Sequence, residues 1–142
     1  RNIGFSALMH VLIEGLTAVH DGRLAWTAGY GSQPDPGQSY PSAEHPVVAR
    51  HPLTGRKFLF VNSAFTSHIV QLTRAESDAV LQLLFRHVEK HLSFQTRIHW
   101  SPDTLVFWDN WATQHHAVWD YYPAERWGER VSAFIGHGPQ AA

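Results

Sequence analysis

The residues best suited to chemistry lie in the last quarter of the chain. His115 and His116 stand side by side within the sequence Trp-Asp-Asn-Trp-Ala-Thr-Gln-His-His-Ala, and Arg126 and Arg130 follow, four residues apart. A neutral imidazole is a ligand for borderline metals such as ferrous iron, and the planar arginine fork matches a carboxylate with two parallel hydrogen bonds. Residues of these types could therefore supply a metal ligand beside a carboxylate clamp.

Spacing alone does not decide which of the two histidines would bind a metal. On an extended segment adjacent side chains point to opposite faces, so His115 and His116 cannot both face one interior. A buried, hydrogen-bonded structural histidine is the simpler interpretation of either residue. For Arg126 and Arg130 the simpler interpretation is a pair of solvated surface arginines near Glu125 and Glu129.

Composition bounds the class of protein before any motif is considered. The chain has 142 residues, 44% apolar and 16% charged, with a net charge of −1, which is typical of one globular domain with a real core. Near-zero charge argues against a nucleic-acid partner, and no apolar run approaches the roughly 20 residues of a membrane-spanning helix. Without cysteine there is no disulfide, thiolate catalyst or cysteine metal site. We expect a cytoplasmic protein; self-association into a homo-oligomer stays open.

The elements that must position these residues are mainly strands. The patterns predict a helix over Phe5–His20, a long loop at 22–44 that would serve as a lid or variable loop, a hairpin over residues 45–61, and a helix over Thr73–His91 that starts at a capping box. Alternation then predicts strands at 94–100, 104–108 and 129–135, followed by a frayed tail.

Five or six short strands with flanking helices favour an antiparallel β-core such as a jelly roll, in which the whole chain, 1–142, belongs to a single domain. Edge closure in such a roll needs about eight strands, so the sheet is predicted to be incomplete.

The motif around His115 resembles the C-terminal signature of the taurine dioxygenase (TauD/TfdA) family of Fe(II)- and 2-oxoglutarate-dependent dioxygenases. The shared residues are Trp108-Asp109-Asn110, then Thr113-Gln114-His115, then Asp120-Tyr121. The hairpin residues His45-Pro46-Val47-Val48 and the later Phe65-Thr66 also match, so that the resemblance covers residues 15–20 and 45–136.

The resemblance implies roles for four side chains. His115 matches the distal iron ligand, and Arg126 matches the arginine that pairs with the distal carboxylate of 2-oxoglutarate. Arg130 matches a substrate-contacting arginine of sulfonate- and sulfate-using members, and Phe65 matches a pocket-lining aromatic. Core packing is the alternative interpretation for Phe65.

The chain departs from the family pattern at the metal site. The other two iron ligands of the family come from a His-x-Asp motif, and no His in this chain is followed two residues later by Asp. His87-Val88-Glu89 is the nearest pattern, but positions two apart on a helix face different directions and cannot chelate one metal. We therefore expect the N-terminal part of the domain to be missing. Trp111 stands where the family usually has an arginine. Core packing is the simpler interpretation of this indole, and a pocket shaped for a substrate larger than taurine is the alternative.

The resemblance implies a dioxygenase that hydroxylates a C–H of a small anionic substrate, with O2 and 2-oxoglutarate consumed and succinate and CO2 formed. Sulfonates, sulfate esters and aryloxy-acids are the expected substrate classes. Two alternatives stay open. One is a non-catalytic β-roll module that binds an anion through Arg126 and Arg130. The other is a related halogenase, in which glycine replaces the metal-binding carboxylate.

Overall fold

A computed structural model describes residues 4–29, 33, 36–134, 136 and 138–142. The helices are α1 Ala7–Ile13, α2 Gly22–Leu24 with the π-helix Ala25–Gly29, α3 Arg74–Lys90 and the 3-10 helix Leu92–Phe94. The strands are β1 Thr17–Asp21, β2 Ser42–Pro46, β3 Val48–Arg50, β4 Lys57–Leu59, β5 Thr66–Ile69 and β6 Gln140–Ala141. A mainly β arrangement with flanking helices is thereby confirmed.

The first helix is shorter than its apolar pattern predicts. The Ser6 hydroxyl accepts a hydrogen bond from the Met9 amide at 3.2 Å and caps the helix, which ends at Ile13. Gly15 then adopts φ +84°, a left-handed conformation that glycine tolerates best. The predicted continuation to His20 is wrong, because residues 17–21 pair with strands on both sides and this pairing overrides helix propensity.

Two antiparallel three-stranded sheets form the centre of the molecule, in the orders β2-β1-β5 and β4-β3-β6. The predicted hairpin is confirmed between β3 and β4, where Val48 faces Leu59 and Arg50 faces Lys57. Its first strand is divided at Val47, whose amide donates to the Leu16 carbonyl while its own carbonyl accepts from the Phe60 amide, both at 2.9 Å. The chain changes sheets at this fully buried residue.

The long helix α3 begins and ends within one residue of its predicted bounds. Thr73 and Glu76 form the expected capping box, each side chain accepting from the other residue's backbone amide. Leu81 and Leu84 face the core, and the Ser77 hydroxyl accepts a 2.8 Å hydrogen bond from the Ile69 amide. Helix and first sheet are thus joined by both apolar and polar contacts.

The chain after α3 differs most from the predictions. The predicted strands at 94–100 and 104–108 are absent, as is the part of the strand at 129–135 that lies within the described residues; Ile135 lies outside them. An isolated strand has no hydrogen-bonding partner for its backbone, so alternation alone does not form one. The tail that was predicted to fray instead contains β6, which pairs with β3.

The predicted loop at 22–44 contains the turns of α2 and the π-helix, and β2 begins at Ser42; residues 30–32, 34 and 35 lie outside the described part. Within the described part, no helix is long and apolar enough to cross a membrane.

Candidate functional site

His115 follows a tight turn that the preceding residues build themselves. One carboxylate oxygen of Asp109 accepts from the Trp111 amide at 2.8 Å, and the Asp109 carbonyl accepts from the Thr113 amide at 3.0 Å. The Trp108 indole packs against the His115 ring with 5.2 Å between centroids, and His115 is otherwise exposed. His115 therefore follows a hydrogen-bonded turn and packs on one aromatic side chain.

Two hydrogen bonds fasten this turn to the hairpin. The His51 ring nitrogen Nε2 lies 2.8 Å from the second carboxylate oxygen of Asp109, and the Gln114 side-chain amide donates to the Val61 carbonyl at 2.8 Å. The Trp111 indole also meets the edge of the Phe58 ring, with 6.3 Å between centroids. The turn is consequently held against the hairpin even though it belongs to neither sheet.

Arg126 lies in an aromatic setting. Its guanidinium carbon is 5.2 Å from the centre of the Tyr121 ring, within the range of a cation–π contact. Residues 119 and 121–127 line an open groove of about 360 Å³. The guanidinium is exposed, so its hydrogen-bonding fork can reach a carboxylate from solvent.

The two residues expected to contact substrate lie in different settings. Phe65 is 44% exposed and precedes β5, with its amide donating to the Asn62 side chain at 2.9 Å and its carbonyl accepting from the Asp21 amide at 2.8 Å. Arg130 is exposed and belongs to no helix or strand. Among the described residues, no hydrogen bond, ion pair or ring contact joins any two of His115, Arg126, Arg130 and Phe65.

The described residues do not form an iron site by themselves. Nowhere among them do three or more His, Cys, Asp or Glu side chains come close enough to hold a metal ion. His115 supplies one imidazole, whereas a facial iron site needs two histidines and a carboxylate. The donor set in this part of the chain therefore does not fit iron unless further ligands are added.

The sequence patterns did not predict a histidine pair on the first sheet. His20 stacks on Phe60 with 5.3 Å between centroids and meets the His45 ring edge-on at 5.2 Å. Burial and the neighbouring His45 lower the pKa of His20 to about 4, and burial also lowers the pKa of His45. The β1–β2 register pairs His45 with Ala18, two residues before His20, so the two imidazoles lie diagonally across the strands. The sequence patterns could not show this contact, because they predicted a helix over residues 17–20.

Comparison with known proteins identifies the group to which the chain is related. Residues 5–132 match the family model described as "Taurine catabolism dioxygenase TauD, TfdA family". The alpha-ketoglutarate-dependent dioxygenase cnsP of Penicillium expansum is 38% identical over 117 residues, 80% of this chain and 31% of that protein. The alpha-ketoglutarate-dependent sulfonate dioxygenase of Saccharomyces cerevisiae is 42% identical over 89 residues, 62% of this chain and 22% of that protein.

A solved structure has the same fold in the part that aligns. The taurine dioxygenase from Burkholderia xenovorans matches with a TM-score of 0.54 and 31% identity, over 69% of this chain and 30% of that one. The chain thus spans about a third or less of the length of these relatives. Since the family model matches most of its residues, the chain belongs to the TauD/TfdA family.

Proposed function

We propose that this chain is the C-terminal portion of an Fe(II)- and 2-oxoglutarate-dependent dioxygenase. The observation that carries the proposal is the family match over residues 5–132, which includes His115, Arg126 and Arg130. The complete enzyme would hydroxylate a C–H of a small anionic substrate, using O2 and forming succinate and CO2. Iron and 2-oxoglutarate would supply the oxidising chemistry, and the protein would supply orientation and charge.

Each residue of this chain has a separate task in the proposal. His115 would be one iron ligand, with the remaining ligands outside the described residues. Arg126 would bind the distal carboxylate of 2-oxoglutarate, because its fork is exposed and its guanidinium lies over the Tyr121 ring. Arg130 would contact the substrate anion and Phe65 its organic part.

The substrate class follows from the charge and the aromatic surroundings. A sulfonate, sulfate ester or aryloxy-acid carries the anion that a second arginine would bind. Among these we favour a sulfonate, because the yeast relative is named a sulfonate dioxygenase. Trp111, Trp119 and Trp127 add bulk near the motif, which favours an organic part larger than that of taurine.

The fold proposed for the complete domain is a jelly roll, within which residues 1–142 form part of one domain and residues 22–44 a lid or variable loop. The six strands described here are fewer than the roughly eight that close such a roll. The exposed apolar side chains after α3 would then pack on strands supplied by a longer chain. The absence of cysteine is consistent with a cytoplasmic enzyme.

The test uses the complete gene product with ferrous iron, O2 and 2-oxoglutarate, and measures succinate with a panel of sulfonates, sulfate esters and aryloxy-acids. We expect substrate-dependent succinate formation. Arg126→Lys should raise KM for 2-oxoglutarate about 10- to 100-fold, because lysine cannot reproduce two parallel hydrogen bonds to a carboxylate. Arg74→Lys is the matched control: Arg74 pairs with Asp78 on the surface of α3 and should leave KM unchanged.

Other outcomes would contradict the proposal. Carboxylate binding without bound iron or succinate would support the non-catalytic anion-binding module. A halogenated product that requires chloride would indicate a halogenase. Equal KM values in the Arg126→Lys variant and the unaltered enzyme would remove Arg126 from the cosubstrate site.

A further inference from the structure

We propose that His51 is a positioning residue for the segment that carries His115, acting through the carboxylate of Asp109. The significance of that segment rests on the proposed function, but the contacts do not. His51 and Asp109 lie 58 positions apart in the sequence, and their side chains meet at 2.8 Å. We call this pair, with the turn that Asp109 closes, the His51–Asp109 clasp.

The imidazole of His51 is held in one orientation by its own hairpin. Its Nδ1 accepts hydrogen bonds from the amides of Leu53 and Thr54, both at 3.2 Å. The side chain is 11% exposed. Because Nδ1 is an acceptor, the ring proton lies on Nε2, which donates to Asp109.

The Asp109 carboxylate connects the oriented His51 ring to the turn before His115. Its Oδ2 accepts from His51, while its Oδ1 accepts from the Trp111 amide at 2.8 Å. The Asp109 carbonyl accepts from the Thr113 amide, which closes the turn. One carboxylate therefore binds the hairpin with one oxygen and shapes the His115 segment with the other.

The location of the clasp gives it more importance than its energy would suggest. A hydrogen bond from a neutral imidazole to a partly exposed carboxylate adds little to overall stability, and the Asp109 side chain is 45% exposed. However, the segment belongs to no helix or strand, so its position depends on a few side-chain contacts. A second contact is the hydrogen bond from the side chain of Gln114, the residue directly before His115, to the Val61 carbonyl. A histidine that binds a metal needs a fixed position, and these two hydrogen bonds restrict the position of the segment.

Two substitutions at His51 separate its two hydrogen bonds. His51→Asn places an oxygen near the position of Nδ1, so it can still accept from the Leu53 and Thr54 amides, but it is too short to reach Asp109. His51→Gln places an amide nitrogen near the position of Nε2 and can still donate to Asp109, but it leaves the hairpin amides without their acceptor.

The measurement is amide hydrogen exchange by NMR in the chain, together with the indole N–H shift of Trp108, whose ring contacts His115. His51→Asn should speed exchange at Trp111 and Thr113 about tenfold, move the Trp108 signal, and leave Leu53 and Thr54 unchanged. His51→Gln should give the reverse pattern. His99→Asn, a change at an exposed histidine after α3, is the matched control and should alter none of these amides.

A double variant tests whether the two residues act together. Adding Asp109→Asn to His51→Asn should speed exchange at Thr113 by no more than the larger single effect. If His51→Asn leaves Trp111 and Thr113 unchanged, or speeds all four amides equally, the clasp is overturned. The amide pattern stands apart from catalysis: a clasp without succinate formation would count only against the proposed function, and succinate formation without the pattern only against the clasp.

Discussion

Residues 4–94 and residues 95–134 both carry many large apolar side chains, but among the described residues only the first region contains buried ones. Every core residue found in the described part lies between Ile13 and Phe85. In the second region Phe107 is 88% exposed, Trp127 89% and Val131 95%. No helix or strand begins within residues 95–134.

The difference shows what an apolar pattern needs in order to become structure. The first region supplies its own partners, since β1 has a strand on each side and α3 covers the sheet through Leu81 and Leu84. The second region alternates just as clearly but has no facing strand among the described residues. Three of the four proposed site residues, His115, Arg126 and Arg130, therefore lie in the region without buried side chains. The His51–Asp109 clasp is one of the contacts that join the two regions.

The largest expected difference between the regions is in hydrogen exchange. Amides of Leu81, Leu84 and Phe85 should exchange about a thousand-fold more slowly than those of residues 105–108 and 129–134, because core amides open only when about 4 kcal/mol of packing is lost. NMR-detected exchange of the chain measures both sets together. Comparable protection in the two regions would mean that residues 95–134 are packed as firmly as the core.

Truncation of one leucine in each region tests how much each region's packing contributes to the free energy of unfolding. Leu84→Ala should lower the free energy of unfolding by about 2–5 kcal/mol, because Leu84 is fully buried and its loss leaves a cavity. Leu105→Ala, at a side chain that is 78% exposed, should change it by less than about 0.5 kcal/mol. Urea unfolding followed by circular dichroism measures both. A large effect at Leu105 would mean that the second region packs after all.

The elements predicted correctly are those whose signals are local. The capping box at Thr73 and the turn between β3 and β4 each lie within a few residues, so the sequence alone located α3 and the hairpin. Strand β1 was not predicted. Leu16 continues the helical spacing of the apolar residues, so the predicted helix ran past Gly15, where the chain has already left the helix.

The site shows the same limit. The motif identified His115, Arg126, Arg130 and Phe65 as candidates, yet their roles stay predictions because the described contacts do not bring them together. The contact between His51 and Asp109 spans 58 positions, and only folding reveals such a pair. Local chemistry is readable from sequence, whereas the pairing of distant segments depends on sheet register and on turns that no single pattern encodes.

The smallest expected effect is a pH dependence confined to the first region. His20 is kept neutral in the fold, with its pKa lowered to about 4 by burial and by His45, while in the unfolded chain its pKa is near 6.5. The unfolded state thus binds the proton more readily, so stability is complete above about pH 6.5 and falls as the pH falls toward 4. The groups that face His20 are the Phe60 ring, the Thr66 hydroxyl and the His45 imidazole.

We expect the free energy of unfolding to drop by about 1 kcal/mol between pH 7 and pH 5 from this site, after allowing for solvent screening of a partly exposed ring. His20→Gln should reduce that drop, because an amide does not titrate, whereas His99→Gln in the second region should leave it unchanged. Urea unfolding at the two pH values measures all three proteins. If His20→Gln keeps the full pH dependence, the acid sensitivity belongs to other groups, and the buried face of β1 has no part in it.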